Sequence, residues 1–203
     1  MVDTSKKLIL PRKFYIRPVI AVAKDLLGKV LIKTEGKKIF AGRIVEVEAY
    51  DGNIDEASHS FKGKTKRNEV MFNLGGHLYV YFTYGAHFCS NVVTGKEGHG
   101  AAVLIRAIEP IAGIDYMIIN RFNGVLKSEK ELYNLTSGPG KLSKAFGLDS
   151  SYSGMDLTNS SVYILDQPKL NHKKIGISKR IGITRSVDLP WRFFEIGNPY
   201  LSR

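Results

Sequence analysis

The spacing of apolar residues changes character several times along the chain, and each change marks an element. Residues 18–27 open on Pro18, run through Val19, Ile20, Val22, Leu26 and Leu27, and stop at Gly28. Proline at the start and glycine just past the end predict a short helix. Residues 29–32 and 39–50 are rich in β-branched side chains and predict two strands, joined by a hairpin turn at Glu35-Gly36-Lys37-Lys38. Alternation with period two in the second strand sets Val45, Val47 and Ala49 on one face and Ile44, Glu46, Glu48 and Tyr50 on the other. The first face is expected in the core. The second holds two carboxylates and a tyrosine, and carboxylates are almost never fully buried without a partner, so it is either solvated or a site.

Beyond Tyr50 the pattern breaks into a turn, Asp51-Gly52-Asn53, and a short polar stretch, Asp55-Glu56-Ala57-Ser58-His59. A basic loop over 62–67 and a second turn at Gly75-Gly76 follow. Residues 78–85 form the most aromatic segment and predict a strand with Tyr79 and Tyr81 on one face. Tyr84 then falls at the strand end, where Gly85 lets the chain turn. Further strands are expected at 91–93 and 102–108, and helices at 110–121 and 140–146. Strands followed by mixed elements argue an α+β fold: one domain over 1–203, with a curved, mainly antiparallel sheet flanked by helices. Residues 1–13, with Lys6, Lys7, Arg12 and Lys13, read as a flexible basic arm.

Length and composition fit one core, since 203 residues with 43% hydrophobic content match a single globular domain. Charge changes the picture more. Thirty Lys and Arg against nineteen Asp and Glu leave +11, which favours a polyanionic partner over a neutral small substrate. The lone cysteine, Cys89, excludes an intrachain disulfide and a cysteine-based zinc site, and a reducing compartment is the default. No uncharged apolar run approaches the roughly 18 residues that cross a bilayer, and residues 1–13 lack the apolar centre of a signal peptide. A soluble cytoplasmic protein is expected.

Ser137-Gly138-Pro139-Gly140-Lys141 resembles a phosphate loop only superficially. The pattern needs glycine at 135 and Ser or Thr at 142, and both positions are leucine. A glycine-rich turn opening a helix can still bind one backbone phosphate, which brings in Lys141. The five histidines show no i,i+4 pair, so no metal site is expected. His59 stands apart because it follows the carboxylate strand through a turn and can fold back over Glu48 and Tyr50. Residues 167–187 hold Lys169, Lys173, Lys174, Lys179, Arg180 and Arg185 and no acid. With Lys64, Lys66 and Arg67 of the basic loop, they predict a phosphate-tracking surface. The tyrosines at 79, 81 and 84 either pack the sheet or stack bases.

Several ordered motifs then carry a resemblance. Gly42-Arg43-Ile44-Val45-Glu46-Val47-Glu48-Ala49-Tyr50, Asp55-Glu56-Ala57-Ser58-His59-Ser60, Leu78-Tyr79-Val80-Tyr81 with Tyr84-Gly85, Phe88-Cys89, Asn91 and Leu104-Ile105-Arg106-Ala107-Ile108-Glu109-Pro110 together resemble the alkyladenine (3-methyladenine) DNA glycosylase family. The likeness returns at residues 137–142, 192–194 and 197–199. It implies a monofunctional, cofactor-free glycosylase of base excision repair that flips alkylated or deaminated purines out of double-stranded DNA and hydrolyses the N-glycosidic bond. By this resemblance Glu48 is the general base and Arg106 helps hold the water. Tyr50, His59 and Tyr81 sandwich the base, Asn91 rejects guanine, and Tyr84 fills the vacated stack. The resemblance further implies a monomer, in the cytoplasm with the nucleoid of a bacterium or in the nucleus of a eukaryote. The alternative is a non-catalytic nucleic-acid-binding module on a fold like that of formyltransferase C-terminal domains, which leaves Glu48 unexplained. A helix-hairpin-helix glycosylase would need a hairpin motif and a catalytic aspartate that the sequence does not contain.

Overall fold

In the computed structural model, which describes residues 8–83 and 85–202, the first helices are α1 (Arg12–Tyr15) and α2 (Val19–Leu26). The hairpin β1 (Val30–Glu35) and β2 (Lys38–Asp51) follows, then β3 (Leu78–Thr83), β4 (His87–Thr94) and β5 (Ala101–Ala112). Three helices come next, α3 (Ile114–Phe122), α4 (Glu129–Tyr133) and α5 (Pro139–Phe146), and three short strands close the order: β6 (Val162–Leu165), β7 (Ile175–Ser178) and β8 (Arg192–Glu195). All strand pairings among the described residues are antiparallel, in the order β3-β4-β5-β2-β1-β6, with β8 bridging β2 and β7. The result is one domain built on a curled antiparallel sheet with a few helices, an α+β fold as the residue pattern predicts.

The sheet has two unlike faces. One takes Val22, Ala23 and Leu26 of α2 and Leu142, Ala145 and Phe146 of α5 against Ile44, Val47 and Ala49 of β2 and Val103, Ile105 and Ile108 of β5. Burying such side chains contributes roughly 1.5–3 kcal/mol each, so this face holds the fold together. The opposite face carries Tyr79 and Tyr81, with Met71, Val93 and Ala102 in a small separate cluster.

The β2–β5 register shifts once at Ala41–Gly42, where Ile111 is skipped, and again around Glu46. Ile44 pairs with Ile108 and Glu46 with Ala107, skipping Val45, and Val47 then pairs with Ile105, skipping Arg106. Two bulges therefore sit back to back, one in each strand. Bulges re-aim side chains and concentrate near active sites. Here the phase shift returns Ile44 to the core face with Val47 and Ala49, whereas plain alternation assigns Val45 to that face; Val45 is buried but outside the main core cluster. Glu46, Glu48 and Tyr50 keep their common face.

Strand β5 also runs further than expected, through Pro110 to Ala112, so the helix expected from 110 begins only at Ile114. Gly113 makes the corner. Its φ of +75° is left-handed, and a Cβ there would lie 2.2 Å from the Ile39 carbonyl oxygen, so only glycine fits. Of the basic arm, residues 1–7 lie outside the described residues. From Leu8 onward the chain is tied down rather than flexible: Ile9 bridges Leu165, Leu10 is buried, and Arg12 pairs with Asp156 at 2.5 Å.

Candidate active site

Four strands and two loops converge on a cavity of about 470 Å³ on the second face of the sheet. Strand β2 supplies Tyr50, β3 supplies Tyr79 and Tyr81, β4 supplies Cys89 and Asn91, and β5 supplies Leu104 and Arg106. The turn after β2 adds His59, and residues 181–185 close the opposite wall.

Glu48 lies immediately behind this wall, with no solvent exposure. Its Oε2 accepts hydrogen bonds from the Tyr50 hydroxyl at 2.8 Å and Arg106 Nη1 at 3.3 Å, and its Oε1 accepts from the Ile181 backbone N–H at 2.7 Å. All three donors belong to residues that line the cavity. A buried carboxylate keeps its charge only with such partners. Each carboxylate oxygen has two lone pairs, so Oε1 keeps one beyond its bond to Ile181. The Tyr50 phenol is pushed far above its usual pKa, by burial first and the Glu48 charge next, so it stays protonated and donates.

The aromatic side is equally ordered. Tyr79 and Tyr81 stack with ring centroids 5.4 Å apart, and His59 meets Tyr81 edge-on at 4.4 Å. His59 Nδ1 and the Tyr79 hydroxyl are in hydrogen-bond contact at 3.1 Å. Burial, and then the charge of Arg67, lower the His59 pKa below its ordinary value of 6.5, favouring the neutral imidazole. Burial raises Tyr79 to about 12 and also raises Cys89 on the cavity wall. The Asn91 amide nitrogen donates to the Tyr79 carbonyl at 3.1 Å, which fixes the orientation of its side chain.

Among the described residues, no group of three or more His, Cys, Asp or Glu side chains is placed to hold a metal ion. The methylpurine-DNA glycosylase (MPG) family signature matches residues 13–199. The chain belongs to that family. Three relatives are provisionally named 3-methyladenine DNA glycosylase. One from Carboxydothermus hydrogenoformans is 49% identical over 197 residues, covering 97% of this chain and all of its own. Those from Methanoculleus marisnigri, 46% identical over 199 residues, and Alkaliphilus oremlandii, 45% over 201, cover 97% and 96% of this chain and 100% and 98% of their own. As a methylpurine-DNA glycosylase, this protein is a DNA-repair hydrolase of the 3-methyladenine glycosylase type, and its substrate is DNA.

In this glycosylase, Tyr50, His59, Tyr81, Asn91 and Arg106 meet at one cavity with Glu48 behind it, the set that the motif order singles out. Tyr84 lies outside the described residues. Lys64, Lys66 and Arg67 are exposed, and Arg67 lies 5.8 Å over the Tyr81 ring at the cavity edge. Lys173 and Lys174 are also exposed, Lys179 pairs with Asp188 at 3.1 Å, and Lys141 donates to the Asn134 side chain.

Arg180 departs from expectation. Rather than facing phosphates, its side chain is fully buried, donates to both Asp55 oxygens at 2.5 and 2.7 Å, and lies 4.6 Å over the Tyr50 ring. A guanidinium buried this fully, with Nη1 and Nη2 both on Asp55, has no face left for DNA. Its task is to anchor the segment whose next residue, Ile181, donates to Glu48.

Three contributors to the site escape sequence reasoning. Tyr79 shares a strand face with Tyr81, and that period-two signal could have placed it in the cavity. The Ile181 donor is a backbone N–H, for which side-chain identity carries no signal. Ser202, bonded to Glu46 and Arg106, lies just past the last motif residues and is far in sequence from both partners.

Proposed function

We propose that this glycosylase flips an alkylated or deaminated purine out of double-stranded DNA, holds it between Tyr50, His59 and Tyr81, and hydrolyses its N-glycosidic bond with Glu48 as general base. The observation that carries this reading is the buried Glu48 carboxylate, held by Tyr50, Arg106 and Ile181 directly behind a cavity walled by aromatic rings. A base inside a duplex keeps its sugar C1′ out of reach of a recessed carboxylate, so extrusion is required. A cavity of about 470 Å³ falls within the range of small-molecule sites.

Chemistry follows from the residues. As the purine leaves, positive charge develops on the sugar, and Glu48 both stabilises it and accepts a proton from the attacking water. General-base transfer of this kind is worth about 10²–10⁴-fold. A methylated purine carrying positive charge gains from the electron-rich faces of Tyr50 and Tyr81, and a neutral His59 adds no repulsion. Asn91, fixed by its bond to Tyr79, stands where a guanine amino group would clash, which rejects the normal base. The candidate lesions are 3-methyladenine, hypoxanthine and ethenoadenine; 7-methylguanine carries the amino group that Asn91 opposes and is released more slowly. The enzyme acts as a monomer, in the cytoplasm with the nucleoid of a bacterial cell or in the nucleus of a eukaryotic one.

Chromatography of bases freed from methylated DNA and from hypoxanthine-containing duplex tests the reading. Wild type releases free base and leaves the strand intact until alkali is added. Glu48→Gln binds the duplex but releases base at least about 10²-fold more slowly. Full activity of that variant would overturn the assignment. A non-catalytic binding module would release no base in either form, and its Glu48 would oppose a polyanion to no purpose.

A further inference from the structure

One buried charge takes no part in general-base chemistry. Glu46, two residues before Glu48 on the same strand face, also has no solvent exposure. Its Oε1 accepts from Arg106 Nε at 3.1 Å, Arg192 Nε at 2.7 Å and the Ser202 hydroxyl at 2.7 Å, and its Oε2 accepts from the Ser202 backbone N–H at 2.6 Å. Ser202 Oγ in turn accepts from Arg106 Nε at 3.2 Å and Nη2 at 3.1 Å. No bond from Glu46 reaches Glu48 directly.

Arg106 is therefore gripped along one edge. Its Nε and Nη2 are held by Glu46 and Ser202, and only Nη1 reaches Glu48, over the longest bond in the cluster. An arginine beside a carboxylate ordinarily closes a bidentate fork, which occupies both oxygens and strongly lowers the pKa. For a general base that outcome is costly. A carboxylate locked in a fork has fewer lone pairs for water and less affinity for a proton.

We propose that Glu46, with Ser202 as its bridge, is a positioning residue for the reaction. It holds Arg106 in a one-bond contact with Glu48 and offsets the arginine charge, so that Glu48 keeps a free lone pair and enough basicity to activate water. The proposal rests on Glu48 being the general base. Arg192, which also pairs with Glu46, balances the second carboxylate, so the cluster holds two buried acids and two arginines.

The test is the pH dependence of single-turnover base release by Glu46→Gln. Removing the Glu46 charge ends its repulsion of Glu48 and frees Arg106 to close on it. Both effects weaken Glu48 as a base, so the acid limb of the rate profile moves to lower pH. The plateau rate falls about tenfold, with substrate affinity nearly unchanged. Glu46→Asp, which keeps the charge, restores the acid limb toward its wild-type position. A role confined to stability would lower the melting temperature and leave the acid limb in place, and that result overturns the proposal. If Glu46→Gln fails to fold, Ser202→Ala removes only the bridging hydroxyl and is expected to shift the limb in the same direction by a smaller amount; an unshifted limb there is equally fatal. Glu48→Gln, run alongside, separates the two readings. If it is inactive while Glu46→Gln keeps the wild-type profile, the general base stands and the positioning role falls.

Discussion

At the scale of single residues, the site works by fixing protonation states. Tyr50 is kept protonated by burial and by the negative charge it faces, so its hydroxyl spends its proton on Glu48. Tyr50→Phe keeps the ring for base stacking and removes a hydrogen bond that stabilises the Glu48 carboxylate; the acid limb of the rate profile then moves to higher pH, opposite in sign to Glu46→Gln. His59 is the complementary case. Its lowered pKa means that the unfolded chain takes up the proton first as pH falls. The stability this contributes is complete above the unfolded value of 6.5 and is lost as pH drops through that value toward the folded one. Arg67 is a cause of the shift, so Arg67→Gln lets the folded pKa rise and makes this loss smaller. Melting temperatures between about pH 7.5 and pH 5 check it, and parallel curves for variant and wild type would contradict the account.

At the scale of elements, the basic residues of the 62–67 loop and of the 167–187 tract divide into two jobs. Arg180 is internal to the fold, and Arg180→Gln leaves Asp55 as an uncompensated buried charge, expected to cost about 3–5 kcal/mol in urea unfolding. Exposed Lys64 and Lys66 behave oppositely. Replacing both by glutamine changes stability by less than about 0.5 kcal/mol, yet lowers the salt slope of DNA binding by about 0.9 for each phosphate that is no longer neutralised. Charge counting along the sequence cannot make this division, because Arg180 and Lys179 look alike until the fold places Asp55 beside one and solvent beside the other. The same limit applies to short strands. The hairpin β1–β2 and the aromatic strand β3 are legible because their alternation runs long enough to be unambiguous. Strands β6, β7 and β8, four residues each, sit among polar and basic neighbours and form only because β1 offers an edge to β6, β2 to β8 and β8 in turn to β7. Glu48, Tyr50, His59, Tyr81, Asn91 and Arg106 were legible from motif order, while the Ile181 amide and Ser202 depend on where distant chain segments land.

At the scale of the whole molecule, the sheet separates stability from chemistry by face: helices seal one side, and the other is left for loops, rings and paired charges. The +11 surplus belongs to neither face's specificity. Binding to undamaged duplex is therefore expected to weaken steeply with salt, while the ratio of affinities for hypoxanthine-containing and undamaged duplex stays nearly constant. A ratio that collapsed with salt would mean that surface cations discriminate between bases. The paired bulges at Val45 and Arg106 impose a further constraint, on sequence length. Pairing between β2 and β5 has the same offset at Ile44–Ile108 as at Val47–Ile105, because each extra residue cancels the other. A one-residue deletion in either strand would slip the register and turn one flank of the ladder inside out, exchanging core side chains for site side chains. Only a matched insertion or deletion, made more than half a hundred positions apart along the chain, leaves both faces where they belong. Between Gly42 and Asp51 of β2 and their partners on β5, the two strands are thus free to vary in composition but not, independently, in length.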